Sequence, residues 1–238
     1  MPSHVLTLGD SHGAVFRHPL FSARFPDVSW ESVVVPGATA SGLENPNDSR
    51  TQAYPTFRRA LDATPARRVI VTLGEVDTGF VIWYRAAKYR ESVFAMLDRA
   101  VAAYTGFLTA VSADFDVLCV SAALPTIPDD VSWGDVANQR REVRASQRAR
   151  TALTLEFNRR VRDAALTRGV SCLLLDAASL GPDGLVRSDL LNPDPRDHHY
   201  APERYAALIA ESIEPFLRRP EPAPPTRGSA RSGQILVG

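Results

Sequence analysis

A serine at the end of the first apolar run is the residue best placed for chemistry. Ser11 follows the run HVLTL at residues 4–8 and lies in the turn Gly9-Asp10-Ser11. A serine hydroxyl is a weak nucleophile until a base removes its proton. The chain offers five histidines as bases, namely His4, His12, His18, His198 and His199. We therefore predict that Ser11 accepts an acyl group, provided that folding brings one of these imidazoles to it.

Two adjacent histidines near the end of the chain are the strongest candidates for this base. They lie in the sequence DPRDHHY at residues 194–200, whose first four residues favour a turn. Such a turn would present both imidazoles on a loop beside the strand ends. A nucleophile, a base and an acid that orients the base form the arrangement used for acyl transfer. We predict His199 as the base, with His198 as its alternative, and Asp197 as the orienting acid, with Asp194 as its alternative.

Acyl transfer also needs donors for the charge that develops on the substrate oxygen. The backbone amide of Ser11 is one candidate. Gly37 follows the second apolar run and is another, because glycine lets the backbone approach a ligand closely, although it also fits a simple turn. The third donor is expected from the loop that begins at Gly74. In that loop we expect Glu75 and Asp77 to brace the backbone, with a direct role in the site as the alternative.

Apolar strand-like runs alternate with helical patterns along the chain. The strands are predicted at 4–8, 33–35, 68–73, 115–120 and 170–175, and the helices at 51–62, 91–108, 140–167 and 202–217. Continuous apolar runs are typical of strands that are covered on both faces, as in parallel sheets. The alternation predicts an α/β fold with a single doubly wound, mostly parallel five-stranded sheet flanked by helices. In such folds ligands bind outside the carboxyl ends of the strands, where the candidate residues lie.

Three further groups of residues are expected to serve the structure. The helical pattern at 91–108 has an apolar stripe expected to face the core; its members are Phe94, Leu97, Val101, Tyr104 and Leu108. The arginines early in the pattern at 140–167 are expected on a solvated helix face, with a patch that binds an anionic substrate as the alternative; they are Arg140, Arg141, Arg144, Arg148 and Arg150. Inside strand-like runs, Cys119 and Cys172 are expected to be buried free thiols.

Composition and charge argue against several classes of function. The 238 residues include 27 basic and 27 acidic side chains, so no net field attracts nucleic acid or an anionic membrane. No apolar run approaches the roughly 20 residues of a membrane span, and the N-terminus lacks the pattern of a signal peptide, so we expect a cytoplasmic protein. Residues 1–218 are predicted to form one domain, and the Pro-, Gly- and Ser-rich residues 219–238 a disordered tail.

Four short motifs resemble those of the SGNH/GDSL hydrolase superfamily, in the same order and over about residues 4–217. They are Gly9-Asp10-Ser11, the isolated Gly37, Gly74-Glu75-Val76-Asp77, and the run that ends at His199 before the last helix. The resemblance implies a flavodoxin-like three-layer sandwich and ester hydrolysis through an acyl-enzyme on the serine. It implies neither a metal nor another cofactor. The substrates that it suggests are acyl or acetyl esters of carbohydrates or other small molecules.

Two positions depart from the pattern of the superfamily. Val76 stands where the superfamily carries an asparagine that donates to the oxyanion, and Arg196 stands three residues before His199, where an aspartate is usual. Loss of a side-chain donor of this kind costs a factor on the order of 10²–10³ in rate. The Asp-His-His-aromatic order of residues 197–200 also resembles SGNH-like sugar O-acetyltransferases. An O-acetyltransferase of the same fold, or an inactive binding domain, is therefore the alternative to a hydrolase.

A metal-dependent phosphoesterase is the least favoured alternative. The sequence GDSHG at residues 9–13 resembles the Gly-Asp-x-His-Gly opening of calcineurin-like enzymes, in which Asp10 and His12 would bind metal. That chemistry needs a cluster of further Asp, Asn and His ligands. The motifs that supply them, Gly-Asp-x-x-Asp and Gly-Asn-His followed by an acid, do not occur in the sequence. We therefore expect no metal ligands, and we expect His12 only to shape the rim of the pocket.

Overall fold

Five parallel strands form one sheet in the computed structural model, which describes residues 3–44, 51–129 and 145–220. The strands are β1 (Ser3–Gly9), β2 (Val28–Val34), β3 (Arg68–Thr72), β4 (Asp116–Val120) and β5 (Ser171–Leu173). Their order across the sheet is β2-β1-β3-β4-β5, and each neighbouring pair is parallel. The predicted α/β fold with a single five-stranded, parallel sheet is thus confirmed.

Helices cover both faces of this sheet. They are α1 (Pro19–Arg24), α2 (Ala53–Ala63), α3 (Ile82–Tyr89), α4 (Val93–Ser112), α5 (Gln147–Leu166), α6 (Asp176–Ser179) and α7 (Pro202–Leu217). One apolar core contains Phe57 of α2, Leu97 of α4 and Phe157 of α5. A second core contains Phe21 of α1 and Ile209 of α7. The sheet lies between these two cores, so the molecule has the three layers that the sequence predicted.

The strand order of the sheet predicts a ligand crevice between β1 and β3, beside the predicted serine turn. From β1 the chain runs to β2 at one edge of the sheet and then crosses back to β3 on the other side of β1. The point where strand order reverses in this way is the usual ligand site of an open α/β sheet. Ser11 follows β1 and Gly74 follows β3, so both residues border this crevice.

β2 begins earlier than the sequence indicated. It was predicted at 33–35 but runs over Val28–Val34. The strand lies at the edge of the sheet, and its first residues alternate between half-buried and exposed, with Trp30 packed on a core and Glu31 in solvent. Only the last residues of β2 form a continuous apolar run, because one face of the first residues is exposed to solvent.

The buried face of α4 is largely as predicted, with one exception. The predicted members Leu97, Tyr104 and Leu108 are buried, but Phe94 is 58% exposed. Phe94 lies in the first turn of α4, where the guanidinium of Arg160 lies over its ring, 5.7 Å from the centroid. The prediction that Phe94 faces the core is wrong, because this ring covers an arginine at the surface instead.

The arginine group divides between surface and interior. Arg148 is exposed as expected, whereas Arg150 is only 5% exposed. Its guanidinium donates to the carbonyl oxygen of Ile127 at 2.7 Å, so the prediction of a solvated face is wrong for Arg150. α5 begins after an N-cap at Ser146, and Ile127 belongs to the segment that follows β4, so this bond joins the first turn of α5 to that segment. The remaining members, Arg140, Arg141 and Arg144, lie outside the described residues.

Both cysteines are free thiols, at facing positions of β4 and β5. Cys119 is buried and Cys172 is half-buried. At the start of the predicted tail, Arg219 donates to the hydroxyl of Ser171 at 2.8 Å, and residues 221–238 of that tail lie outside the described residues. In the parts of the chain that the structure describes, no helix combines the length and apolarity needed to cross a bilayer.

Candidate active site

The loop at residues 192–199 carries both candidate bases to the end of β4. The phenol oxygen of Tyr200, just after this loop, accepts a hydrogen bond from the amide of Leu124 at 2.8 Å. Thr126 donates through its hydroxyl to the carbonyl oxygen of His198 at 2.6 Å. Leu124 and Thr126 lie in the extended segment that continues β4, so this segment fixes the histidine loop at the carboxyl edge of the sheet.

Asp197 orients the imidazole of His199. Its Oδ1 atom lies 2.5 Å from Nδ1 of the ring and also accepts the backbone amide of His199 at 2.9 Å. Partial burial opposes ionisation of Asp197, but the two hydrogen bonds from His199, together with the charges of His199 and His198, outweigh it and lower the pKa of the carboxyl group. The alternative acid, Asp194, instead accepts the backbone amide of Arg196 at 2.9 Å.

The second ring nitrogen of His199 is placed to accept a proton. Nε2 is buried and has no hydrogen-bond partner among the residues that the structure describes. With Nδ1 bonded to a carboxylate, the neutral imidazole keeps its proton on Nδ1 and presents a lone pair at Nε2. A buried acceptor without a partner costs free energy. Such an atom is a natural contact for a reacting hydroxyl or a ligand.

Ser11 is the first residue of a 3₁₀ helix that spans Ser11–Arg17, directly after β1. The preceding Asp10 is buried, and its carboxylate accepts the amide of His12 at 2.8 Å. Asp10 therefore caps this helix, which is a structural role. The turn is tightly packed, since a Cβ atom on Gly9 would lie 3.0 Å from both the side chain and the carbonyl oxygen of Thr72. This packing holds the half-buried Ser11 at the crevice.

His12 connects the serine turn with the histidine loop. Its ring centroid lies 4.7 Å from that of His199 and 5.7 Å from that of His198. The rings of His198 and His199 are themselves 4.1 Å apart. Since His12 follows Ser11 in the chain, these contacts bring the first and last predicted motifs to one place. The sequence did not indicate that His12 contacts either histidine.

Gly37 forms a tight turn in the loop after β2. Its φ angle is +74°, in the left-handed region that glycine tolerates best. The amide of Ala38 donates to the carbonyl oxygen of Val35 at 3.0 Å, and the amide of Val35 donates to that of Gly9 at 2.9 Å. These bonds hold the exposed Gly37 in a loop anchored to the end of β1. Turn geometry accounts for the glycine, and its part in an oxyanion site remains a prediction.

Asp77 ties the loop after β3 to the loop after β2. Its side chain is fully buried and accepts the amides of Ala40 at 2.6 Å and Ser41 at 3.0 Å. Burial raises the pKa of this carboxyl group, although the hydrogen bonds from Ser41 and Ala40 and the charge of Arg85 act in the opposite direction. Asp77 thus braces the backbone, in agreement with the structural role considered for it.

Glycine is required at position 74 because the backbone there lies against Phe157 of α5, on the core side. Its φ angle is +124°, and a Cβ atom at this position would lie 2.4 Å from Cε1 of Phe157. Glu75 follows and is 3% exposed. Burial raises the pKa of Tyr200, with smaller contributions in the same direction from the charges of Asp176 and Glu75, while hydrogen bonds with Leu124 and Ser179 act in the opposite direction. Val76 is half-buried and supplies no polar side-chain atom.

Two polar residues on the buried face of α5 support the site and were not predicted. Asn158 accepts the amide of Ala122 at 2.9 Å and donates to the carboxylate of Asp176 at 2.7 Å. Thr154 places its hydroxyl 2.7 Å from that of Thr78, in the loop after β3. Their spacing of four residues places them on the face that also carries Leu153, Phe157 and Val161, and this is the sequence signal that would have marked them.

Comparison of the whole structure identifies its fold. The sequence matches no protein-family model and no curated protein sequence. A carbohydrate acetylesterase from Sinorhizobium meliloti is similar in structure, with a TM-score of 0.58, 16% identity, and coverage of 90% of this chain and 99% of the other. A GDSL-like lipase from Bacteroides thetaiotaomicron gives a TM-score of 0.57 with 13% identity, and covers 91% and 88% of the two chains.

An extracellular lipase from Streptomyces rimosus is a further structural neighbour, with a TM-score of 0.52 and 12% identity over 88% of this chain and 99% of the other. The matches extend over nearly the full length of these proteins. At such low identity they establish the architecture alone. The chain therefore has the fold of the SGNH/GDSL hydrolases.

Proposed function

We propose that this chain, which has the fold of the GDSL hydrolases, is a serine-dependent hydrolase that cleaves ester bonds through an acyl-enzyme on Ser11. The observation that carries the proposal is the series of contacts from Asp197 through His199 to His12, the residue that follows Ser11. An oriented imidazole with a buried acceptor nitrogen, beside a serine turn, is the arrangement that activates a hydroxyl.

The first half-reaction transfers the acyl group to the enzyme. Nε2 of His199 takes the proton of the Ser11 hydroxyl while the serine oxygen attacks the ester carbonyl carbon. Asp197 stabilises the imidazolium that forms, and the lowered pKa of its carboxyl group keeps it ionised at neutral pH. The tetrahedral intermediate then expels the alcohol, which receives the proton from His199.

The second half-reaction releases the acid. Water attacks the carbonyl carbon of the acyl group on Ser11, with His199 again as the base. The intermediate breaks its bond to the serine oxygen, and His199 returns the proton to Ser11. Every proton that moves passes between His199 and the serine, the leaving alcohol or water, so the proposed steps balance without a further reactant.

Backbone amides stabilise the negative charge of both intermediates in this proposal. The amide of Ser11 is one donor, and the amide of Gly37, in a loop anchored to Gly9, is the second. The loop after β3 is the proposed source of a third donor, but Val76 contributes no side-chain donor. We therefore expect turnover that is slower than it would be with an asparagine at this position.

Short acyl esters of carbohydrates or small molecules are the proposed substrates. This is supported by the descriptions of structural neighbours, which include a carbohydrate acetylesterase and an acetyl xylan esterase. If a sugar hydroxyl replaces water in the second half-reaction, the same acyl-enzyme performs O-acetyl transfer. The two outcomes differ only in whether the acetyl group appears as acetate or on an added sugar acceptor.

Turnover of p-nitrophenyl acetate tests the proposal. Ser11→Ala and His199→Gln are expected to abolish the activity of the wild type. The matched controls are Ser112→Ala and His4→Gln, which replace the same residue types at the opposite, amino edge of the sheet and should retain activity. Equal rates in the wild type and in all four variants would overturn the proposal.

A further inference from the structure

We propose that the imidazoles of His12, His198 and His199 bind one Zn²⁺ ion, and that this ion inhibits the esterase by occupying Nε2 of His199. The three side chains each offer a ring nitrogen within 4.8 Å of the other two. Within the described ranges, this is the one group of three or more His, Cys, Asp and Glu side chains close enough to hold an ion. The inhibition rests on the proposed function, whereas the binding does not.

The kind of ligand selects the metal. Three neutral imidazoles suit Zn²⁺, whereas Mg²⁺ and Ca²⁺ prefer oxygen ligands. Three protein ligands also leave the fourth position of a tetrahedral Zn²⁺ ion open to water. Ring nitrogens on a tetrahedral Zn²⁺ ion lie about 3.4 Å apart, given a Zn–N distance of about 2.0–2.1 Å. In the proposed site the half-buried ring of His198 moves toward the ion, while His199 keeps its contact with Asp197.

A carboxylate hydrogen-bonded to the ring of His199 gives this ligand the outer-shell contact that zinc sites use, and a second carboxylate lies near the ring of His12. Nδ1 of His199 lies 2.5 Å from Asp197, and Nδ1 of His12 lies 3.3 Å from Asp10. A carboxylate on one ring nitrogen fixes the tautomer, raises the basicity of the other nitrogen and turns it toward the metal. The two negative charges also offset the charge of a divalent cation. His198, the third ligand, is fixed through its backbone by Thr126.

This set of ligands differs from the one that the GDSHG sequence suggested. In a calcineurin-like site Asp10 would bind metal directly together with His12. Here the carboxylate of Asp10 is engaged by the backbone amide of His12 at 2.8 Å, so it acts as a helix cap and lies behind the ring. The cluster brings together histidines that are distant in the sequence, and the proposal departs here from the expectation that the chain has no metal ligands.

Inhibition follows from the chemistry of a single lone pair. Nε2 of His199 is the nitrogen that takes the proton of Ser11 in the proposed mechanism. A nitrogen that donates its lone pair to Zn²⁺ cannot accept a proton at the same time. Zn²⁺ and the serine proton therefore compete for one atom, and removal of the ion restores the base.

Direct metal binding tests the site without reference to activity. The chelator-treated full chain is titrated with Zn²⁺ in competition with a chromophoric chelator at neutral pH. We expect one ion per chain in the wild type, and affinity at least about tenfold weaker in His12→Gln and in His198→Gln. Ser11→Ala and His4→Gln should bind as the wild type does, because neither residue is a ligand. Absence of binding, or equal binding in every variant, would overturn the site.

A second measurement does not depend on how the variants fold. Co²⁺ added to the wild type should give the visible absorption bands of a four-coordinate nitrogen site, and Zn²⁺ should displace them. Bands of six-coordinate Co²⁺ alone would contradict the three-imidazole site. The circular dichroism spectrum of each variant is recorded together with the titration, so that a loss of binding caused by unfolding is recognised. For a variant that does not fold, the Co²⁺ spectrum of the wild type decides whether the site exists.

Activity then separates the two proposals. Zn²⁺ is expected to suppress hydrolysis of p-nitrophenyl acetate by the wild type over the concentration range in which it binds, and EDTA to restore it. Activity that persists in the Zn²⁺-saturated wild type would overturn the inhibitory role, as would activity lost on chelation and regained with Zn²⁺. If Zn²⁺ binds but the metal-free wild type hydrolyses no ester, the metal site stands and the proposed esterase function falls.

Discussion

The imidazole of His12 lies against that of His199, with ring centroids 4.7 Å apart, although the two residues are near opposite ends of the chain. The sheet explains this contact. β1 is an interior strand of the sheet and ends at the crevice. The loop at residues 192–199, before α7, is held at the same edge by the segment that continues β4. A nucleophile on the first loop and a base on the last one therefore need no additional element to meet.

Asp197→Asn is expected to lower kcat for p-nitrophenyl acetate by about 10²-fold or more. Asparagine carries no charge, so it cannot stabilise the imidazolium of His199 as the carboxylate does. The matched control is Asp194→Asn in the same loop, since Asp194 accepts the amide of Arg196 and does not orient His199. Steady-state kinetics of both variants check this. An equal loss in the two variants would show that the loop, and not the carboxylate, is required.

Asp77→Asn is expected to lower the free energy of unfolding by about 1–3 kcal/mol. The buried carboxylate accepts the amides of Ala40 and Ser41 through two oxygens, whereas asparagine offers one oxygen and turns an NH₂ group toward one of these donors. Asp62→Asn is the control, because Asp62 lies on the surface and should change stability by less than about 0.5 kcal/mol. Urea denaturation at neutral pH measures both. Equal stability of the two variants would contradict the bracing role.

The pH dependence of stability provides a separate test of Asp77. Burial raises the pKa of this group above its ordinary value of 3.8. A raised pKa means that the folded state binds the proton more tightly than the unfolded state, so the stability that Asp77 contributes at acid pH is lost as the pH rises through the folded-state pKa. The difference in unfolding free energy between the wild type and Asp77→Asn should therefore shrink as the pH rises from about 4. A difference that grows with pH would contradict the raised pKa.

Gly74→Ala is expected to lower the free energy of unfolding by at least about 1–3 kcal/mol. The added Cβ atom would meet the ring of Phe157 at 2.4 Å, on a backbone with a φ angle of +124°. Gly106→Ala in α4 is the opposite case, because its Cβ atom would meet nothing within 4 Å. This helix-interior change should stabilise by about 0.5–1 kcal/mol. Thermal unfolding compares the two, and a stable Gly74→Ala variant would contradict the packing described.

Val76→Asn is expected to raise kcat by about tenfold or more, because it supplies a side-chain donor to the oxyanion. Val76→Leu controls for the loss of valine at this half-buried position without adding a donor, and its kcat should not rise. Turnover of p-nitrophenyl acetate measures both variants. If kcat rises in neither variant, the substrate oxyanion does not lie beside the loop after β3.

The sequence predicted the local parts of the site and the fold that holds them. Asp197 and His199 are two residues apart, so their contact follows from a turn that the sequence already indicates. The order of strands and helices predicted the parallel sheet, and Ser11, Gly37 and Gly74 each came soon after a predicted strand. Patterns of this kind depend only on neighbours along the chain.

Contacts between distant segments were not predictable in the same way. Asp77 binds the amides of Ala40 and Ser41, and no periodicity of either segment indicates that pairing. The contact of His12 with His199 likewise depends on the final packing of the first and last loops. Arginine is usually a surface residue, but Arg150 is buried, where its guanidinium donates to the carbonyl oxygen of Ile127. The sequence does not identify this partner.

Covalent labelling of the wild-type chain with a fluorophosphonate, followed by peptide mass spectrometry, tests the central claim most directly. A serine is phosphonylated by such a probe only when a base has activated it. We expect one adduct per chain on the peptide that contains Ser11, lost in His199→Gln and retained in His4→Gln. An unlabelled wild-type chain, or an adduct on another residue, would contradict it.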